Sequence, residues 1–366
     1  MGRDLCSLGD IAPLVGQGSG FHKAVPEDLF IRQGTNLETR WEALRGQGVR
    51  VPNDRFFVRN HTSTPLIDAM DWRLVVHGDG VARPRAFTYD QLRSLPARTI
   101  EVAVECAGNG RRFYATQQGQ PAKGTPWGLG GIGVARWRGV PLRTVLELAG
   151  LSPAAVDVLP VGLDPEYAEG GVNLGHVRRP LPIAKALDDV LLAYEMNDGP
   201  LPPDHGFPLR LVVPGWVGAA SIKWVGDIEV STRPLGSPWS EGLYAGPDGR
   251  PLTHQVVKSA FELGWEATLA AGRRHVLHGR SWSGRGRIVR VEVSYDDGLT
   301  WRRARLRDRH PAWTLWSVAW RPDAPGAYRL MARATDETGA TQPDLTPFDP
   351  NGYLFGAVVA HPVIVT

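Results

Sequence analysis

The chain is poor in cysteine, in lysine and in long apolar runs, and each shortage removes a class of protein. Its 366 residues include two cysteines, Cys6 and Cys106. That is too few for a disulfide framework or for a zinc site of clustered thiolates. Any cysteine chemistry here belongs to a single sulfur. An excess of one charge is also missing, since 41 Lys+Arg stand against 38 Asp+Glu for a net +3. The basic residues are spread along the chain, which argues against a nucleic-acid partner. Only five of the 41 are lysine (Lys23, Lys123, Lys185, Lys223, Lys258), so 36 are arginine, the side chain that grips planar oxyanions bidentately. No stretch approaches the ~18 apolar residues of a membrane span; the most apolar, Leu209 to Ile222, contains Arg210 and Pro214. The opening MGRDLCSLGDIAPLVGQGSG has neither the apolar core of a signal peptide nor a twin arginine. The expectation is therefore a soluble, cytoplasmic protein without a membrane partner.

What is present reads as a globular protein of about two domains, at roughly 150 residues each. The 43 Gly and 30 Pro are scattered without repeat, which predicts many short elements joined by turns. Trp72, Leu74 and Val76 alternate, as do Ile100, Val102, Val104 and Cys106, and both runs predict half-buried strands. Thr88-Tyr-Asp-Gln91 has the spacing of a capping box and predicts a short helix carrying Leu92 and Leu95. Pro141 to Leu148 predicts another, with Gly150 just beyond. After about residue 260 only strand signals remain: Val289 to Tyr295, a turn at Asp297-Gly298, and Tyr328 to Ala334. The expected fold class is α+β, with an extension over 1–50, a mixed α/β domain over 51–258 and an immunoglobulin-like β-sandwich over 259–366.

Cys106 ends its strand and runs directly into Ala107-Gly-Asn-Gly-Arg-Arg112. A strand entering a glycine-rich loop places the thiol at a sheet rim, where backbone can approach a ligand. A soft sulfur there suits a transition metal or nucleophilic work, and a buried core thiol is an equal reading of the same residues. Cys6 has no role that the sequence reveals.

The blocks around Cys106 resemble the sulfite oxidase family of molybdenum enzymes. They are Glu105-Cys-Ala-Gly-Asn109 with Arg111, Lys123-Gly-Thr-Pro-Trp127, Ala135-Arg-Trp137 and Gly139-Val-Pro-Leu142. Phe57-Val-Arg-Asn-His61 matches upstream; Leu191 to Asn197, Asp204-His-Gly-Phe-Pro-Leu-Arg210, and Val213 through Trp224 match downstream. Ser281-Trp-Ser-Gly284 and Asp297 to Trp301 match the family's dimerisation domain, so the resemblance runs from about residue 50 to the end. It implies a molybdopterin cofactor whose molybdenum takes Cys106 as its one protein ligand. It assigns the pterin pocket to Phe57, Val58, Arg59, Asn60, His61, Asp164, His205, Arg210, Ser221, Ile222 and Lys223. It assigns the substrate side to Arg59, Arg111, Lys123, Trp127 and Tyr244. The implied reaction is oxidation of sulfite to sulfate by a homodimer that passes electrons to an external acceptor such as a c-type cytochrome. No haem domain is expected within the chain, which also lacks Cys-x-x-Cys-His.

One departure from the family bears on the substrate. Asn351-Gly-Tyr353 falls where the family carries an Asn-x-Arg reaching into the substrate pocket. Losing one charged hydrogen bond to an anion costs roughly 1.5–3 kcal/mol, so weaker sulfite binding, or a less charged substrate, is expected. The loop between Cys106 and Lys123 is also two residues longer than the vertebrate pattern. Reduction of nitrate or another oxyanion on the same scaffold is the alternative reading, and an immunoglobulin-like binding or scaffold protein without metal is the remote one.

Overall fold

The computed structural model describes residues 20–366, and Cys6 lies outside them. The chain enters through a small antiparallel sheet of Phe30–Gln33, Asn36–Thr39 and Val58–Arg59. Two larger sheets follow. In the first, the order is Leu181–Pro182, Asp157–Gly162, Val225–Ser231, Arg73–His77 and Arg85–Thr88, with the Val225–Ser231 and Arg73–His77 pairing parallel. In the second, Gly199–Pro200, Leu191–Met196, Ile132–Pro141 and Arg98–Glu105 are neighbours, and Arg210–Val212 also pairs with Leu191–Met196.

The local signals explain these elements. Leu74 and Val76 are buried on alternate positions of Arg73–His77, as period-two patterning requires. Thr88 accepts from the Gln91 N–H while the Gln91 side chain accepts from the Thr88 N–H, a closed capping box that starts the helix Tyr89–Ser94. Leu142–Leu148 is the second expected helix, burying Leu142, Val145 and Leu146. It stops at Gly150, whose φ of +76° suits a residue without a Cβ.

Beyond residue 260 the described residues form strands and no helix. A four-stranded sheet (Lys258–Phe261, His275–Trp282, Thr314–Trp320, Arg305–Arg309) faces a five-stranded one (Ala267–Leu269, Ala360–Val365, Gly326–Asp336, Ile288–Ser294, Arg302–Arg303). Between them Leu277, Val291, Val293, Trp316, Leu330 and Val363 form an apolar core. The expected turn is present at Asp297 and Gly298, both with positive φ. The sandwich is welded to the rest of the chain, because Trp282, Trp313, Phe355 and Val359 share one buried cluster with Trp127, Val134, Trp137 and Cys106.

Candidate active site

Cys106 sits one residue past the strand Arg98–Glu105 and is nearly inaccessible. Its N–H donates to the Gly131 carbonyl at 2.8 Å, and its own carbonyl accepts from Asn109 at 2.9 Å. The loop is fastened from behind. Lys258 Nζ donates to Glu105 Oε1 at 2.8 Å and to the Asn109 carbonyl at 2.7 Å, while Asn109 Nδ2 donates to the same carboxylate oxygen at 2.9 Å. Both members of that ion pair are buried. The thiol is thereby held at one wall of a cleft.

That cleft encloses about 780 Å³, open solvent included. All eleven residues expected to form the pterin pocket line it: Phe57 through His61, Asp164, His205, Arg210, and Ser221 through Lys223. Cys106 and Tyr244 line it as well. Their sources are scattered along the chain: the strand Val58–Arg59, the turn after Gly162, the short turn Pro203–His205, the strand Arg210–Val212 and the turn at Ser221. Arg111, Lys123 and Trp127 are not cleft-lining. Arg111 is buried beside the cleft, donating from Nε to the Asn351 carbonyl at 2.7 Å and from Nη1 to the Thr125 carbonyl at 2.9 Å. It fills a slot left by glycines, since a Cβ on Gly108 or Gly352 would come within 2.6 or 2.5 Å of its side chain. Trp127 is wholly buried behind Phe57, ring edge to face at 6.2 Å. Lys123 is exposed, tied only through its N–H to the Pro350 carbonyl.

The cations in and beside the cleft lack anionic partners. Among the described residues Arg59, Arg111, Arg210 and Lys223 enter no ion pair, although exposed arginines elsewhere form many. Arg210 donates to the carbonyls of His205 at 2.9 Å and Ser221 at 3.2 Å, and stacks over Trp137. Burial lowers its pKa to about 9. Lys223 donates to the Asp204 carbonyl at 2.8 Å and to Asn60 Oδ1; burial, then Arg210, pushes its pKa well down. Burial also depresses His205 and His61, aided by neighbouring cations, so both rings are neutral. Asp164 moves the other way, up to about 6, because its carboxyl is buried with only long contacts to the Val177 N–H.

At the thiol end Arg59 Nη2 lies 3.1 Å from His61 Nε2, which also meets the Tyr244 hydroxyl at 2.9 Å. Burial alone would lower the Arg59 pKa, but Tyr244, Cys106, Tyr353 and Tyr167 around it turn the net direction upward. Burial raises the Tyr244 phenol, so it stays protonated. The Tyr353 ring stands 5.3 Å from Tyr244 and 5.2 Å from the Arg111 guanidinium. The position where an arginine was expected thus packs behind Tyr244 and beside Arg111, and like Arg111 it does not line the cleft.

These features fit a molybdopterin cofactor. No group of three or more His, Cys, Asp or Glu suited to a metal occurs among the described residues, so a metal at Cys106 needs further ligands from its own cofactor. Unpaired buried cations need an anion such as a phosphate, and an under-bonded buried carboxyl needs N–H donors. Asp204 and Trp224 also line the cleft and were not foreseen as site residues; their adjacency to His205 and Lys223 in the matched blocks was the available signal.

Comparison with known proteins agrees with this geometry. The family model for the oxidoreductase molybdopterin binding domain matches residues 61–239, and that for the Mo-co oxidoreductase dimerisation domain matches residues 266–354. The chain is 36% identical over 318 residues to the mitochondrial sulfite oxidase of Rattus norvegicus and, over the same length, to the sulfite oxidase of Gallus gallus. Each match covers 80% of this chain, and the chain spans 57% and 68% of those two relatives. A nitrate reductase of Ulva prolifera is 31% identical over 357 residues, covering 84% of this chain and 39% of the relative. The solved structure of the sulfane dehydrogenase SoxCD from Paracoccus pantotrophus superposes with a TM-score of 0.77 at 28% identity, covering 98% of this chain and 92% of that one.

Proposed function

This chain belongs to the sulfite oxidase family of molybdopterin-binding oxidoreductases, and from that premise we propose that it oxidises sulfite to sulfate. The observation that carries the reading is convergence: eleven pocket residues, one thiol and one buried tyrosine, drawn from distant segments, line a single cleft. When bound, the molybdenum cofactor supplies two-electron redox chemistry and a transferable oxygen. The chain's residues hold and screen. Cys106 would offer the soft donor, Arg210 and Lys223 would hold the cofactor's phosphate end, and the Asp164 carboxyl would accept from pterin N–H groups.

At the substrate end Arg59 keeps its positive charge free, since no carboxylate opposes it, and Arg111 stands behind in its glycine slot. Fixed cations stabilise an oxyanion without reorganising during the reaction. Tyr244, protonated through neutral pH, donates a hydrogen bond rather than acting as a base. Phe57 and Tyr244 present aromatic walls, with Trp127 and Tyr353 behind them, that restrict water. Electrons pass to a separate acceptor, for which a c-type cytochrome is our proposal, and the sandwich is the surface on which two copies would pair as a homodimer. Light scattering of the purified protein tests the dimer.

Tyr353 favours a second reading, in which the substrate is a reduced sulfur compound carrying less charge than sulfite. The near-complete coverage of a protein described as a sulfane dehydrogenase points the same way. Nitrate reduction has the weaker support, with 30–31% identity to the nitrate reductases. The test is a substrate panel on one preparation with measured molybdenum and pterin content. Sulfite with ferricyanide should turn over; activity only with nitrate and a viologen donor would overturn the proposal. Cell fractionation tests the cytoplasmic expectation, which the mitochondrial label of the rat relative opposes.

A further inference from the structure

The hairpin Phe30–Gln33 and Asn36–Thr39 lies outside both regions matched by the family models, yet it packs directly behind Arg59. In the sheet register Asn36 stands directly opposite Arg59, a placement that brings cross-strand side chains together. Asn36 is buried, and its amide is fully used. Oδ1 accepts from Arg59 Nη1 and from the Asn60 N–H, each at 3.2 Å; Nδ2 donates to the Gln33 carbonyl and to Thr125 Oγ1, each at 3.2 Å. Two donors and two lone pairs are all that a carboxamide has.

The hairpin cannot slide past the loop it touches. Glu38 accepts from the N–H groups of Gly128 at 2.9 Å and Gly130 at 3.1 Å, and from Gln33 Nε2 at 2.8 Å, while the Thr39 N–H donates to the Gly130 carbonyl. Asn36 therefore links two segments that converge on the substrate end, one carrying Arg59 and the other running through Thr125 to Trp127.

The chemistry of the residue decides what the link does. A carboxylate here would pair with Arg59 and cancel the charge an oxyanion needs. An amide fixes the guanidinium and leaves its charge intact. We propose that Asn36 is a positioning residue that aims Arg59 at the bound oxyanion while keeping it uncompensated, an inference that rests on the placement of Arg59 at the substrate end.

The test compares the molybdenum-loaded wild type with Asn36→Asp, Asn36→Leu and Thr125→Val. Dissociation constants for sulfate, phosphate and nitrate are measured from pH 5 to 8, with kcat and KM for sulfite and molybdenum and pterin content per chain. Asn36→Leu should weaken anion binding about tenfold at every pH, raising KM more than it lowers kcat. Asn36→Asp should weaken it roughly a hundredfold across the whole range from pH 5 to 8, because pairing with Arg59 holds the introduced carboxyl ionised there. Thr125→Val, which removes only one anchor of the amide, should cost about threefold or less.

The titratable and charged groups around the position are Arg59 and Glu38 and, one partner further out, Arg111, Arg112, His61, Lys223, Tyr244 and Cys106. They are common to wild type and variant, so the difference between the two pH profiles isolates the introduced carboxyl. Unchanged anion affinity in fully loaded Asn36→Asp and Asn36→Leu overturns the proposal. So does cofactor loss in step with anion affinity in both Asn36→Leu and Thr125→Val, which a purely structural role predicts. A wild type that binds these anions without oxidising sulfite would sink the sulfite reading and leave this comparison intact.

Discussion

The sandwich and the cleft-bearing region bury their cations in opposite ways. Arg280 in the sandwich is fully buried and donates to Glu262 Oε1 at 2.6 Å and to the Leu44 carbonyl at 2.9 Å, with Trp313 beneath it. Arg210 in the cleft is almost as buried and has only carbonyls and an aromatic face. A buried charge without a partner is expensive. Where the chain supplies the counter-charge, the cation serves architecture; where it does not, an anion from outside completes the site. The same contrast separates Lys258, paired with Glu105, from Lys223, which is paired with nothing anionic.

Substitutions can break or sharpen this contrast. The largest effect belongs to Cys106→Ala, which should abolish turnover and strip molybdenum, read by elemental analysis beside activity; full activity would refute the metal assignment. Next, Arg280→Met leaves the Glu262 carboxylate buried and alone, and should lower folding stability by about 3–5 kcal/mol in denaturant titrations. Activity per folded molecule should hold. Arg210→Met should do the reverse: unfolding of cofactor-free protein stays level or improves, while pterin retention falls tenfold or more on dialysis. Equal destabilisation by both changes would erase the distinction. Tyr353→Arg restores the cation expected from the family and should lower KM for sulfite roughly tenfold. No change would show that Tyr353 does not limit binding.

The smallest effect is a pH dependence. Asp164 is raised to about 6 by burial, so its contribution to the stability of cofactor-free protein is complete below its unfolded pKa of about 4. It is lost as pH rises through 6. Asp164→Asn should flatten the decline in stability between pH 4 and 6, and an unchanged slope would show that the carboxyl does not titrate there.

Local signals made much of the fold readable beforehand. The reciprocal bonds of Thr88 and Gln91, the stop at Gly150 and the alternation in Arg73–His77 are decided by neighbours within a few residues, whereas Arg98–Glu105 buries both faces at its Cys106 end. Cys106 and ten of the eleven pocket residues were identifiable because they sit in short contiguous blocks that resemble a family, whereas Asp164 stands outside those blocks. The contributions of Asn36, Glu38 and Lys258 were not readable, because each depends on partners far away in the chain. Lys258 reaches back 153 residues to Glu105, and Glu38 reaches forward 90 to Gly128. Nothing in Asn-Leu-Glu or Val-Lys-Ser announces such contacts. Lys123 and Trp127 show the converse, since their blocks matched well while one side chain faces outward and the other stands behind the wall.

The Glu105–Lys258 bond also limits how this chain can be taken apart. Lys258 opens the first strand of the sandwich, so the seam between the halves is electrostatic as well as apolar. A graft that exchanges the sandwich for another must bring a cation at that position, or strand a buried carboxylate next to the cleft's thiol. Separate expression of the two halves meets the same obstacle, and a chimera keeping Lys258 with the cofactor half is the cut that the structure permits.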